Sequence, residues 1–218
     1  MDQPGKPFCT LDVLRGIAAL GVMVFHAPVI GHGLMPGGYL AVDLFFLLSG
    51  CVIAHAYGVR MAGGLAPRAF LWRRAIRLWP MCALGAILGM ALHGGHAGAL
   101  LLLPDWRSTG NLFPANPPLW SLLLEVLAYG AFAFGGWRLG TRMLGGIVLG
   151  CAAGLAWLAL GEGALLVNAG AFWPTLGHGL LRVGFGFAGG MLLWRLWHRR
   201  APQSARRDKR SHRSPRRR

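Results

Sequence analysis

Long apolar segments alternate with short polar ones along most of the chain. Six apolar segments are long enough to cross about 30 Å of hydrocarbon with some tilt. They cover residues 11–31, 38–57, 78–93, 119–136, 143–160 and 179–197. This pattern predicts about six transmembrane helices, joined by short loops.

Composition supports the same fold class. Hydrophobic residues make up 55% of the 218 residues and charged residues only 13%, whereas a soluble domain carries roughly 25% charged residues. The mean hydropathy is +0.49. These values exclude an ordinary water-soluble globule, and they predict an all-α, polytopic integral membrane helical bundle.

Arginines are concentrated in alternate loops. Those between the predicted spans, and after the last one, are Arg60, Arg68, Arg73, Arg74, Arg77, Arg138, Arg142 and Arg195. The intervening loops hold only Arg107. Because Lys and Arg are retained on the cytoplasmic side, one topology with both termini cytoplasmic satisfies every loop. Residues 1–10 contain no apolar run, so we expect an uncleaved first helix rather than a removed signal peptide.

The last 21 residues differ from everything before them. Ten of the 22 Lys and Arg residues lie beyond Trp197, and no large apolar residue follows Ala201. Such a segment cannot bury a core and is expected to be disordered. We therefore divide the chain into a transmembrane domain, residues 1–197, and a basic cytoplasmic tail, residues 198–218. The expected partner of the tail is anionic membrane lipid, not nucleic acid.

Two polar residues in the first span lie on one helical face. Arg15 and His26 are eleven residues apart, which is three helical turns plus roughly 20°, and about 16 Å along the axis. A cation at the membrane boundary suits a phosphate-bearing ligand, and a buried neutral imidazole suits proton transfer near neutral pH. The alternatives are a snorkelling Arg15 and an interhelical hydrogen bond from His26.

Further polar residues occur in the second segment and immediately before the third. Asp43 lies inside an apolar run and needs a polar partner: either His26, whose basicity it would raise, or a structural hydrogen bond between spans. Arg73, Arg74 and Arg77 include pairs at helical spacing and could clamp phosphates, or they could simply be positive-inside charge. Ser49 lacks the surroundings of a nucleophile elbow, so we interpret it as a close-packing position.

Metal and dinucleotide sites are not expected. His93 and His96 have a possible ligand spacing, but no Cys or carboxylate lies close to them in sequence, and the four cysteines lack CxxC spacing. The glycines Gly184, Gly186 and Gly189 spell GxGxxG inside an apolar span, where no strand precedes them, so helix packing is the better interpretation.

Four blocks, in order, resemble the membrane-bound acyltransferase family 3. They read LDVLRGIAALGVMVFHA, GYLAVDLFFLLSG, FLWRRAIRLWP and NPPLWSLLLEVLAYG. Members of that family are bacterial inner-membrane enzymes that move an acyl group, commonly acetyl, from cytoplasmic acyl-CoA to hydroxyls of cell-envelope carbohydrates. The resemblance is strong over residues 11–135 and implies the same donor and acceptor class here, without a metal.

The resemblance also implies roles for particular residues. Arg15 and His26 match the Arg-x10-His motif, with His26 as the catalytic residue, either a base or an acyl-imidazole relay; we favour the base. Arg74 and Arg77 match the RxxR block implicated in holding the CoA phosphates. Glu125 matches the acidic position of the WSLxxE block, and it shares a helical face with Ser121 four residues earlier.

Family members are usually longer and have more spans than the six predicted here. The alternative to an active acyltransferase is therefore a shortened, catalytically silent family member that acts as a membrane structural or interaction protein.

Overall fold

A computed structural model describes residues 9–25, 37–162 and 170–200 of the chain. Most of these residues lie in six α-helices. They are α1 (Cys9–Phe25), α2 (Leu40–Ala62), α3 (Pro67–His93), α4 (Leu119–Phe134), α5 (Thr141–Glu162) and α6 (Leu176–Arg200). The described residues contain no β-strand; an isolated bridge joins Asn111 to Phe172. The all-α fold class is confirmed.

Four of these helices are long and apolar enough to cross a membrane, namely α2, α3, α5 and α6. The apolar parts of α1 and α4 are shorter, covering Val13–Phe25 and Leu119–Phe134. The chain is thus an all-helical membrane protein, while the count of six spans stays a prediction.

The third helix begins earlier than its apolar segment suggests. The segment starts at residue 78, but α3 starts with Pro67 at its first position, where proline's fixed φ suits a helix and its missing N–H costs nothing. The arginine block therefore lies on a regular helix. At the other end, Gly94 follows the helix with a φ of 72°, a conformation that favours glycine.

The centre of the bundle is formed by α2, α4 and α6. Phe46 and Ile53 from α2 pack in one buried cluster with Leu124 from α4 and Phe187 from α6. Large apolar side chains on the outside, such as Trp157 and Leu160 of α5, are exposed, as expected of a surface that faces lipid. The helices α1 and α3 lie against this centre and leave a cavity between themselves, α2 and α4.

Candidate active site

A cavity of about 360 Å³ lies between α1, α2, α3 and α4. Three guanidinium groups and one carboxylate line it, from residues far apart in sequence. They are Arg15, Arg74, Arg77 and Glu125. Hydroxyls of Ser49, Ser121 and Tyr129 and a largely apolar wall complete the lining. Four of the residues singled out in the sequence thus meet at one cavity, on three different helices.

Arg74 is the most enclosed of the three arginines, with only 6% of its surface exposed. Its guanidinium carbon lies 4.9 Å from the ring centre of Tyr129 and 5.7 Å from that of Tyr57. Its Nη2 donates a hydrogen bond to the Tyr129 hydroxyl at 3.4 Å. Within the described residues, its buried Nε has no hydrogen-bond partner. Since a buried charge is costly unless it is paired, Arg74 depends on the Tyr129 hydroxyl and on the two tyrosine rings for stabilisation within the described residues.

The other two arginines of the block are placed differently. Arg77 is exposed and lines the cavity one turn after Arg74. Arg73 is also exposed but is not among the lining residues, because one residue corresponds to about 100° of helix rotation. The structure therefore brings Arg74 and Arg77 to the cavity and leaves Arg73 beside it.

Glu125 is the carboxylate of the cavity and is held by two hydroxyls. Its Oε1 accepts a hydrogen bond from Ser49 Oγ at 2.5 Å, across from α2, and another from the Tyr129 hydroxyl one turn along α4. Ser121, one turn before Glu125, donates to the carbonyl of Pro118 at 3.0 Å. Glu125 is thereby fixed in orientation and connected through Tyr129 to Arg74.

Two residues of this network went unrecognised in the sequence. Ser49 is buried, and besides lying in a closely packed segment it binds Glu125. Tyr129 is 2% exposed and continues the four-residue spacing of Ser121 and Glu125, so that spacing could have identified it. The partnership with Ser49 joins residues 76 positions apart and has no local sequence signal.

Asp43 is bound by an arginine of the last helix. Arg182 donates from Nε to Asp43 Oδ1 at 2.9 Å and from Nη2 to Oδ2 at 3.1 Å. The Arg182 guanidinium also contacts the carbonyl of Tyr39 at 3.1 Å and lies 5.5 Å from the ring centre of Trp120. The structure thus shows an interhelical contact of Asp43, between α2 and α6, while the pairing of Asp43 with His26 stays a prediction. Arg182 was itself a charge inside a predicted span and should have been paired with Asp43 on that ground.

The predicted catalytic histidine, His26, lies outside the described residues. Its predicted pairing with Asp43 is therefore also outside what the structure describes. Arg15, half-buried on α1, lines the cavity. The shared face of Arg15 and His26 therefore stays a prediction. In the described ranges, no group of three or more His, Cys, Asp or Glu side chains could hold a metal ion.

The fold and this cavity define a class: a polytopic helical membrane protein with a cationic cavity that opens between its helices. The family model Acyl_transf_3, an acyltransferase domain, matches residues 10–207. The chain therefore belongs to acyltransferase family 3. It is 44% identical over 87 residues to "Protein 2 in picA locus" of Rhizobium radiobacter, a match that covers 39% of this chain and 46% of that protein. The chain thus spans less than half of this relative. No solved structure gives a significant match.

Proposed function

We propose that this protein is a membrane-bound O-acyltransferase that moves an acyl group, acetyl in the simplest case, from acyl-CoA to a hydroxyl of a cell-envelope carbohydrate. The observation that carries the proposal is the cavity where Arg15, Arg74 and Arg77 meet Glu125. Family membership supports the reaction class. The cavity supports the donor, because its cations suit phosphates and its apolar wall suits an acyl-bearing arm.

We expect acyl-CoA to bind with its phosphates at the arginines of the cavity. Guanidinium groups bind phosphate oxygens with two parallel hydrogen bonds. Arg77 and Arg15 supply such groups at the cavity, and Arg73 adds positive charge at its edge. Arg74, which also lines the cavity, adds a third positive charge. The acyl thioester then points toward Ser49 and Glu125.

The chemistry proposed is direct transfer assisted by a base. His26 takes the proton from the acceptor hydroxyl as the hydroxyl oxygen attacks the thioester carbonyl. The new ester C–O bond forms, the C–S bond breaks, and CoA leaves as a thiolate that takes up the proton. Glu125, fixed by Ser49 and Tyr129, orients the groups around the reacting carbonyl. Asp43, held by Arg182, is proposed to orient His26.

We place the protein in a bacterial inner membrane with both termini in the cytoplasm. The donor cations Arg74 and Arg77 then lie near the cytoplasmic face, where acyl-CoA is available. Positive charge near the ends of spans is retained on that side. The arginines at the end of α2 and in the first turns of α3, together with Arg138 between α4 and α5, support the orientation.

The test is an acyl-transfer assay with purified protein in nanodiscs, labelled acetyl-CoA and cell-envelope glycan. His26→Ala should reduce glycan labelling by at least about 100-fold, the lower range of a general base's contribution. His93→Ala is the matched control, because His93 is exposed at the end of α3 and does not line the cavity. Equal labelling by the wild type and His26→Ala would reject the proposal, as would a wild-type protein that labels no glycan.

A further inference from the structure

A second cavity, of about 480 Å³, lies at the end of the bundle that carries the arginine-rich loops. It is bounded by the end of α2, the turn after α4 and the last turns of α6, and it shares no lining residue with the first cavity. Ala54, Gly58 and Ala62 form one wall at four-residue spacing. A Cβ built on Gly58 would have no atom within 4 Å. The side chains of this wall are therefore small, and the space beside Gly58 is open.

Two arginines lie at the mouth of this groove. Arg195 Nη2 donates to the carbonyl of Trp137 at 2.8 Å, and its Nη1 donates to the carbonyl of Leu139. Arg138 is exposed, with its guanidinium carbon 4.7 Å from the ring centre of Trp137. Both arginines therefore contact neutral groups. No carboxylate of the described residues lies within 4.0 Å of either, so their positive charges are not compensated there.

Tryptophans complete the walls of the groove. Trp194 lies between His55 and His198, with ring centres 4.4 Å and 5.4 Å away. Together with Trp137 it lines the groove beside the arginines. Tryptophan is enriched at the level of lipid headgroups in membrane proteins. The groove thus combines two tryptophans, two uncompensated cations and a wall of small apolar residues.

We propose that this groove is a binding site for one anionic phospholipid. Its phosphate lies against Arg138 and Arg195, and one acyl chain runs along Ala54, Gly58 and Ala62. Charge complementarity selects an anionic headgroup, because basic pockets between helices attract such lipids, whereas a zwitterionic headgroup brings its own cation. A second copy of the chain fits less well, because a symmetric contact would face the same arginines toward each other. The proposal does not depend on acyl transfer.

The site is tested by native mass spectrometry of the full chain in detergent. Phosphatidylglycerol and phosphatidylcholine with identical acyl chains are supplied at equal concentration. The wild type should retain one phosphatidylglycerol in preference to phosphatidylcholine. Arg138→Gln should weaken that retention about five-fold, the contribution of one arginine near an anionic surface. Arg68→Gln is the matched control, an exposed arginine near the start of α3 that lies outside the groove, and it should leave retention unchanged.

A second pair of variants tests the channel without altering charge. Gly58→Leu fills the groove and should lower retention of both lipids, whereas Gly146→Leu, at an equally open position on α5, should not. Glycerol phosphate, a headgroup without chains, should not displace the lipid. Equal losses in Arg138→Gln and Arg68→Gln would overturn the proposal, as would full retention in Gly58→Leu, displacement by glycerol phosphate, or a dimer that Gly58→Leu abolishes.

Discussion

At the scale of single residues, Tyr129 links the carboxylate and the buried arginine of the candidate site. Its hydroxyl donates to Glu125, accepts from Arg74 Nη2, and lies on a ring that the Arg74 guanidinium faces. The Tyr129 hydroxyl thus lies between the Glu125 carboxylate and the Arg74 guanidinium and forms a hydrogen bond with each. The network sets the orientation of Glu125 and the position of Arg74 together.

Removing this hydroxyl should destabilise the protein. Tyr129→Phe keeps the ring but leaves the buried Arg74 and the half-buried Glu125 with one hydrogen-bond partner fewer each, which costs about 1–3 kcal/mol. Thermal unfolding in detergent should therefore occur at lower temperature than in the wild type. Tyr57→Phe is the matched control: this ring also faces Arg74, but its hydroxyl makes no hydrogen bond within the described part of the chain. Equal unfolding temperatures for the two variants would contradict the network.

The arginines of α3 should differ in their effect on donor binding. Arg77 lines the cavity and Arg73 does not. If the donor binds as proposed, Arg77→Gln removes a charge-assisted contact with a CoA phosphate, whereas Arg73→Gln removes only a nearby charge. We expect CoA affinity, measured by calorimetry, to fall about tenfold or more in Arg77→Gln. The loss in Arg73→Gln should be smaller. A larger loss in Arg73→Gln would show that the phosphates lie outside the cavity.

At the scale of helices, α2 and α6 approach each other at backbone distance. A Cβ on Gly190 would collide with the carbonyl of Leu47 and lie 2.8 Å from the Cys51 nitrogen. A Cβ on Gly50 would meet the carbonyl of Phe187 in the same way. Small residues permit such contacts between membrane helices. This packing keeps Asp43 of α2 within reach of Arg182 of α6.

Alanine at position 190 should therefore weaken the bundle. The added methyl group cannot be accommodated without separating α2 from α6, and overpacking of this kind typically costs about 1–3 kcal/mol. Gly190→Ala should lower the unfolding temperature in detergent. Gly146→Ala, where a Cβ meets nothing within 4 Å, should change it little or raise it. Identical unfolding temperatures for the two variants would contradict the close approach.

The sequence anticipated the helices better than the contacts between them. Apolar length alone predicts α2, α4, α5 and α6 to within a few residues, because hydrocarbon thickness fixes how long an apolar run must be. It misses the first turns of α3, since Arg68, Arg73 and Arg74 carry charge there. The spacing of the family motifs identified Arg74, Arg77 and Glu125 as candidate site residues. The pairing of Ser49 with Glu125, and of Asp43 with Arg182, depends on tertiary packing that no local pattern encodes.

At the scale of the whole molecule, the distribution of arginines predicts the orientation in the membrane. Alkaline phosphatase fused within residues 94–118 should be active, because that loop is expected outside the cytoplasm, and fusions after Arg138 should be inactive. Green fluorescent protein at the same positions is the reciprocal control and should fluoresce only after Arg138. The opposite pattern would place Arg74 and Arg77 on the side of the membrane away from the cytoplasm, where acyl-CoA is not available.

The two cavities give the molecule two distinct polar regions. One joins Arg15, Arg74 and Arg77 to Glu125 within the bundle, and the other presents Arg138 and Arg195 at its basic end. Since they share no residue, variants in one should leave ligand binding to the other unchanged. Lipid retention in Arg77→Gln and CoA affinity in Arg138→Gln therefore serve as mutual controls.

We expect the acyl donor to occupy the cavity between α1, α2, α3 and α4. The most direct measurement is labelling with a CoA thioester whose acyl group carries a photoreactive diazirine, followed by mass-spectrometric mapping of the modified peptides. We predict label on the peptides that contain Ser49 and Glu125, suppressed by excess acetyl-CoA and weakened in Arg77→Gln. Competable label confined to lipid-facing segments such as α5, or to the groove at Gly58, would show that the donor binds outside this cavity.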